Sequence, residues 1–90
     1  MNFDAVLEEL IGLLDAAGVK VRREALEESR GGLCRLGGRQ VLFLDTGADP
    51  LQSATLCARA LRRVVDIQDI YLRPNLREFI ESMESGDGQE

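Results

Sequence analysis

The sequence predicts a single α+β domain: an N-terminal helix, a small antiparallel sheet of two or three strands, and two C-terminal helices packed on one sheet face. Apolar residues recur at helical spacing in three segments, and two short apolar runs flank the pair Gly37-Gly38. Ninety residues are enough for one modest core but too few for two. We therefore expect one domain over residues 1–83, followed by a polar tail.

The first helix is predicted from about Asn2 to Ala17. Its apolar side chains form one stripe, made by Phe3, Val6, Leu7, Leu10, Ile11 and Leu14. Gly18 is placed to end this helix as a left-handed C-cap residue. Val19–Arg22 alternates between apolar and basic residues, which indicates a short first strand, whereas Glu24–Arg30 has no clear pattern.

A β-hairpin is predicted from Leu33–Leu36 to Arg39–Leu44, because a Gly-Gly turn readily supplies the positive φ angles that tight hairpins need. With Leu36 opposite Arg39, one sheet face carries Cys34, Leu36, Val41 and Phe43, and we expect it to face the core. The other face mixes polar residues with leucines. Its three leucines are candidates for a self-association interface: Leu33, Leu42 and Leu44.

The second helix is predicted from about Pro50 to Val65, with Asp49 as N-cap and Pro50 as first helical residue. Its apolar stripe comprises Ala54, Cys57, Ala58, Leu61, Val64 and Val65. Pro74 is expected to open the third helix, whose stripe comprises Leu76, Phe79, Ile80 and Met83. Residues 84–90 contain no apolar residue, so we expect a disordered acidic tail.

Composition excludes several classes of function. The net charge of −5 argues against nonspecific nucleic-acid binding, and no apolar run reaches the length of a membrane span. The chain has no histidine, which excludes Ser-His and Cys-His nucleophile pairs and histidine-ligated zinc. Cys34 and Cys57 are expected to be buried thiols rather than metal ligands. We therefore predict a cytoplasmic protein without metal, cofactor, nucleic-acid or membrane partner.

Residues 41–49 read V-L-F-L-D-T-G-A-D, which resembles the active-site loop of the retropepsins, the small dimeric aspartic proteases. The resemblance implies a homodimer in which Asp45 of each subunit supplies one carboxylate of a pair that shares a proton. A retropepsin also needs a glycine-rich flap, but Gly47 is the only glycine between Thr46 and Met83. The surrounding sequence therefore favours a strand end, a tight turn and a helix cap.

A second resemblance covers residues 7–65. The order of helix, strand, hairpin and two helices, together with G-G-L-C-R-L-G-G-R-Q-V-L-F-L-D, is similar to small bacterial metallopeptidase-like domains of the ImmA/IrrE type. In that family the helix after the hairpin bears His-Glu-x-x-His. The corresponding stretch here reads T-L-C-A-R-A-L, so the resemblance implies a shared scaffold without zinc chemistry, and no site residue carries over.

The function predicted from these observations is a non-enzymatic protein-interaction or regulatory module that self-associates as a homodimer. One alternative is the retropepsin-like protease that uses Asp45. Another is a regulatory domain that binds an acidic partner through a basic patch on the second and third helices, formed by Arg59, Arg62, Arg63, Arg73 and Arg77.

Overall fold

A computed structural model of the chain describes residues 2–26 and 31–83. In chain order these residues form α1 (Phe3–Ala16), β1 (Val19–Glu24), β2 (Gly32–Leu36), β3 (Arg39–Asp45), α2 (Pro50–Val64), a 3₁₀ turn (Ile67–Asp69) and α3 (Pro74–Ser82). The predicted α+β class and the three predicted helices are confirmed. The predicted tail, 84–90, and part of the unassigned stretch, 27–30, lie outside the described residues.

The starts of α1 and α2 follow from their capping residues. The Asn2 side chain accepts hydrogen bonds from the backbone N–H groups of Asp4 and Ala5, which would otherwise lack partners. Asp49 accepts from the Gln52 N–H at 2.8 Å, while the Gln52 side chain accepts from the Asp49 N–H at 3.2 Å. This reciprocal capping box confirms Asp49 as the cap that starts α2 at Pro50.

The sheet has the strand order β1-β3-β2, so β3 is the central strand. The β2–β3 hairpin has the predicted register, with Leu36 opposite Arg39, and Gly37 and Gly38 supply φ angles of 56° and 83° in the turn. β1, in contrast, pairs with β3 in parallel. The expectation of an antiparallel sheet is therefore wrong for β1, and the sheet is mixed. The connection from β1 starts β2 at the end of the sheet where β1 finishes, so β1 runs opposite to β2 and parallel to β3.

The helices cover the sheet face opposite to the predicted one. Leu42 and Leu44 are 1% and 2% exposed within the core, whereas Leu36 is 50% exposed. The reason lies in β1, because its parallel register pairs Val19 and Val21 with residues of the leucine face of β3. The same register pairs Lys20 and Arg22 with Val41 and Phe43 on the other face, and burying those charges would be costly.

α3 packs chiefly on α2 rather than on the sheet. Its buried residues, Leu76 and Ile80, join the core, and the Phe3 and Phe79 rings meet at a centroid distance of 5.8 Å, which ties α3 to α1. The expectation that both C-terminal helices lie on the sheet is thus met by α2 and not by α3. Within the described residues, no helix has the length and apolar character needed to cross a membrane.

Candidate interaction surface

One face of the sheet carries no helix in the described part of the chain, and we call it the open face. It comprises Lys20, Arg22 and Glu24 of β1, Arg39, Val41 and Phe43 of β3, and Gly32, Cys34 and Leu36 of β2. None of its apolar side chains belongs to the core cluster built from the helices and the other sheet face. Leu36 is half exposed and Val41 is buried between the neighbouring strands. The open face therefore has an apolar centre that no described element covers.

Cations border this apolar centre. The Arg22 guanidinium lies 5.8 Å from the centroid of the Phe43 ring and forms an ion pair of 2.8 Å with Glu24. Both partners of that pair are well exposed, so it contributes little stability. Lys20 and Arg39 form no ion pair with any described residue. The border of the open face is accordingly more basic than the chain as a whole.

The charges of the sheet are sorted along the strand axis. At the end where β3 begins lie Lys20, Arg35 and Arg39, and this set is called the basic end. At the end where β3 finishes lie Glu24, Asp45 and the α2 cap Asp49, and this set is called the acidic end. Arg22 and Arg23 of β1 also lie toward the acidic end, where Arg22 pairs with Glu24, so the strand axis is basic at one end and only weakly acidic at the other.

A depression of about 250 Å³ opens beside β2, lined by Glu24, Leu26, Gly31, Gly32, Cys34 and Phe43. Its volume lies below the 300–1,000 Å³ typical of small-molecule sites, so it is suited to a single side chain rather than a cofactor. A Cβ on Gly32 would meet no atom within 4 Å, so this residue leaves open space above the strand. A Cβ on Gly31 would collide with the Phe43 carbonyl oxygen, which explains the glycine there.

The Asp45 side chain stabilises the turn that follows β3. Its Oδ1 accepts hydrogen bonds from the backbone N–H of Gly47 at 3.0 Å and of Leu26 at 3.2 Å. The Thr46 N–H donates to the Glu24 carbonyl, so the turn after β3 is joined to the end of β1. The helix α2 then begins at Pro50, in agreement with the predicted strand end, turn and cap.

A groove of about 650 Å³ lies beside this turn and is lined by Asp45, Gly47, Ala48, Leu51, Gln52, Thr55 and Leu56. Among the described residues that line it, Asp45 is the single carboxylate and the single ionisable group. Among the described residues, no three His, Cys, Asp or Glu side chains lie close enough to hold a metal ion. The described part of the chain therefore places neither a carboxylate pair nor a metal site in this groove.

The five arginines of the predicted basic patch have different environments. Arg73 donates from Nε and Nη2 to the two carboxylate oxygens of Glu9, and this hydrogen bonding raises the pKa of the guanidinium. Arg77 donates from Nη2 to the carbonyl oxygens of Ile67 and Ile70, each at 3.2 Å. Both side chains thus hold α3 and the 3₁₀ turn in place, which is a task the sequence did not reveal.

The other three arginines lie on the last two turns of α2, where Arg59 and Arg63 are exposed and Arg62 is partly buried. Arg62 and Arg63 line a groove of about 510 Å³ that also contains Asp66 and Glu81. The carboxylates offset part of the positive charge there. The contacts therefore divide the predicted patch into Arg73 and Arg77, which are held by hydrogen bonds within the chain, and the α2 set, of which Arg59 and Arg63 are exposed.

The three leucines predicted as an interface do not form an exposed face. Leu42 and Leu44 are in the core and Leu33 packs against it, so the prediction of an interface on their face is wrong. Sequence reasoning instead assigned Leu36 and Phe43 to the interior. The alternation of Val19 and Val21 with basic residues was the signal that could have identified the correct face.

The two cysteines also differ from each other. Cys57 is fully buried as predicted, and burial raises the pKa of its thiol to about 12. Cys34 is an exposed free thiol on the open face, so the prediction that it is buried is wrong. The cause is the reversal of the two sheet faces. Cys34 is consequently the accessible thiol of the chain.

Comparison of the chain with protein-family models, curated proteins and solved structures found no match. The resemblances to the retropepsins and to the ImmA/IrrE-type domains therefore stay predictions. The open face is the surface on which an exposed leucine, Leu36, lies beside the partly exposed Phe43 and the exposed Cys34.

Proposed function

We propose that the chain is a non-enzymatic protein-interaction module that self-associates, and that its contact surface is the open face. The observation that carries the proposal is the apolar centre of that face, where half-exposed Leu36 adjoins Cys34, Val41 and Phe43. Contiguous exposed apolar surface with a polar border is typical of protein-protein contacts. The self-association predicted from the sequence is retained, but on the opposite face.

The arrangement of cations supports a protein contact. Interfaces combine an apolar centre with a charged border, because charge is costly to desolvate at the centre and inexpensive at the border. Lys20 and Arg39 lie at the border of the open face, and Arg22 places its guanidinium near the Phe43 ring. Arginine and aromatic residues are enriched at binding surfaces.

Self-association is tested by sedimentation velocity over a range of protein concentrations. We expect a concentration-dependent dimer for the wild type and a monomer for Leu36→Lys, because the added charge would be desolvated at the centre of the contact. Leu51→Lys is the matched control, since Leu51 is 44% exposed and lies on α2, away from the open face. This variant should dimerise like the wild type.

A wild-type protein that stays monomeric at several hundred micromolar would overturn the proposal. Equal loss of the dimer in Leu36→Lys and Leu51→Lys would place the contact elsewhere. Circular dichroism of each variant establishes that the fold is retained before either result is interpreted.

The two alternative functions receive less support. The contacts of Asp45 account for its place in the turn without catalysis, and the described groove beside it provides one carboxylate. Cleavage of a peptide at acidic pH that disappears in Asp45→Asn would nevertheless establish the protease. The acidic-partner hypothesis keeps the exposed Arg59 and Arg63, since Arg73 and Arg77 have structural contacts and Arg62 is partly buried.

A further inference from the structure

We infer that two copies of the chain associate by antiparallel pairing of their β2 strands about a two-fold axis at Cys34, which makes one continuous six-stranded sheet. This inference rests on the proposed self-association and limits its contact to the β2 edge and the β2 side of the open face, where Gly32, Cys34 and Leu36 lie. The open faces of the two copies would then form a single surface, with the apolar centres adjacent and the cations at the periphery.

The first argument concerns the strand edges. β2 pairs with β3 on one side, and no described strand occupies its other side. β1 is the opposite edge, and its Lys20, Arg22, Arg23 and Glu24 give it the charge that commonly protects an exposed edge from pairing. β2 carries a single charged residue, Arg35. Of the two edges, β2 is therefore the one suited to pairing.

The hairpin geometry fixes the register. Leu36 and Arg39 flank a two-residue turn, so they form a hydrogen-bonded pair, and hydrogen-bonded and non-hydrogen-bonded pairs alternate along the strands from there. Gly32, Cys34 and Leu36 thus direct their backbone groups toward β3. Leu33 and Arg35 direct theirs outward. With Cys34 on the axis, Leu33 of each copy exchanges two hydrogen bonds with Arg35 of the other.

This register also fits the side chains. It places Leu36 of one copy opposite Gly32 of the other, on the open face. Gly32 has open space above it and lines the depression bounded by Cys34 and Phe43. Leu36 of each copy would therefore fill the depression beside Gly32 of the other copy. The contact is self-complementary, as a two-fold interface requires.

The charges agree with the same arrangement. Antiparallel pairing brings the basic end of one copy alongside the acidic end of the other, at both sides of the axis. The side chains directly opposite each other are Gly32 with Leu36, Leu33 with Arg35, and Cys34 with Cys34, so no like charges face each other across the new ladder. We therefore expect the dimer to weaken as the salt concentration rises.

Cys34 serves as a reporter of the register. On the axis it forms a non-hydrogen-bonded pair with its mate, for which a Cα separation of about 4.5 Å is typical and lies within the range that a disulfide spans. Diamide would take up two protons and two electrons as the two S–H bonds break and one Sγ–Sγ bond forms. Buried Cys57, with its pKa raised to about 12, should not compete.

We expect diamide to convert wild-type protein to a covalent dimer at concentrations where sedimentation shows the noncovalent dimer. The control is the double variant Cys34→Ser with Arg35→Cys, which keeps Leu36 and an exposed thiol on the same strand but moves the thiol off the axis. It should cross-link at least tenfold more slowly. Equal rates for the two proteins would overturn the inferred register.

A second test blocks the edge without the cysteine. Arg35→Pro removes an outward N–H that the hairpin does not use, whereas Arg35→Ser removes the same charge and keeps the N–H. We expect Arg35→Pro to weaken dimerisation about tenfold or more relative to Arg35→Ser, since each copy loses one intermolecular hydrogen bond. If Arg35→Pro does not fold, the cross-linking comparison decides the question.

The outcomes separate this inference from the proposed function. A wild-type monomer at all concentrations contradicts both. A dimer that Leu36→Lys disrupts, but whose Cys34 thiols do not cross-link, retains the open face as the contact surface and contradicts pairing of the β2 edges.

Discussion

Asp45 shows that a carboxylate in a suggestive motif can be explained by the backbone groups around it. Its Oδ1 accepts from two N–H groups, one within its own turn and one from Leu26 beyond β1. The side chain therefore links the end of β3 to the chain segment that leaves β1. The sequence predicted the turn from Asp-Thr-Gly, but the contact with Leu26 depends on a strand pairing that no local pattern encodes.

This role predicts different effects for two substitutions of Asp45. Asp45→Ala leaves both N–H groups without their acceptor, so the free energy of unfolding should fall by about 1–2 kcal/mol. Asp45→Asn keeps an oxygen at the same position and should cost less than about 1 kcal/mol. Urea unfolding monitored by circular dichroism measures both. Equal stability of Asp45→Ala and the wild type would contradict the structural role.

Single elements follow closely from local sequence. The caps Asn2 and Asp49, the apolar stripes and the Gly37-Gly38 turn all act over a few residues, and the helices and the hairpin were accordingly predicted within one or two residues of their observed ends. The β3 sequence V-L-F-L is apolar on both faces, so its alternation could not decide which face is buried. The buried face is determined by β1 and by its parallel pairing with β3.

Gly12 provides a test at the level of one element. It lies on the exposed side of α1, and a Cβ there would meet no atom within 4 Å. Gly12→Ala should therefore raise the free energy of unfolding by up to about 1 kcal/mol, through higher helix propensity alone. Thermal unfolding should show a higher Tm. The reverse change Ala5→Gly, at another exposed position of α1, is the control and should lower it.

At the scale of the whole molecule, the parallel β1–β3 pair determines both the core and the candidate surface. Val19 and Val21 complete the buried face together with Leu42, while Lys20 and Arg22 join the open face beside Phe43. The pairing joins residues about twenty positions apart, so neither helical nor strand periodicity reveals it. For the same reason the sequence could not identify which face of the sheet is exposed, and the self-association predicted from it stays a proposal.

Because Leu42 is buried and Leu36 is exposed, substitutions of these two hairpin leucines should have different effects on stability. Leu42→Ala should lower the free energy of unfolding by about 2–5 kcal/mol, since it leaves a cavity in the core. Leu36→Ala should change it by less than about 0.5 kcal/mol, as is usual for exposed positions. Urea unfolding is measured at a concentration low enough to keep the protein monomeric. If Leu36→Ala lowered the free energy of unfolding more than Leu42→Ala does, the sheet face that the sequence predicted to be buried would be the buried one.

The central strand β3 pairs with β2, which is adjacent in sequence, and with β1, which is distant, and this difference affects the order of folding. The β2–β3 hairpin closes through two residues, and hairpins of this kind form in about 1–10 µs. Pairing of β1 with β3 must close the longer loop between Val19 and Gln40, which costs more chain entropy than closing the hairpin. The hairpin is thus expected to belong to the folding nucleus. The parallel pair would then form after the rate-limiting step, so substitutions in β1 should chiefly accelerate unfolding.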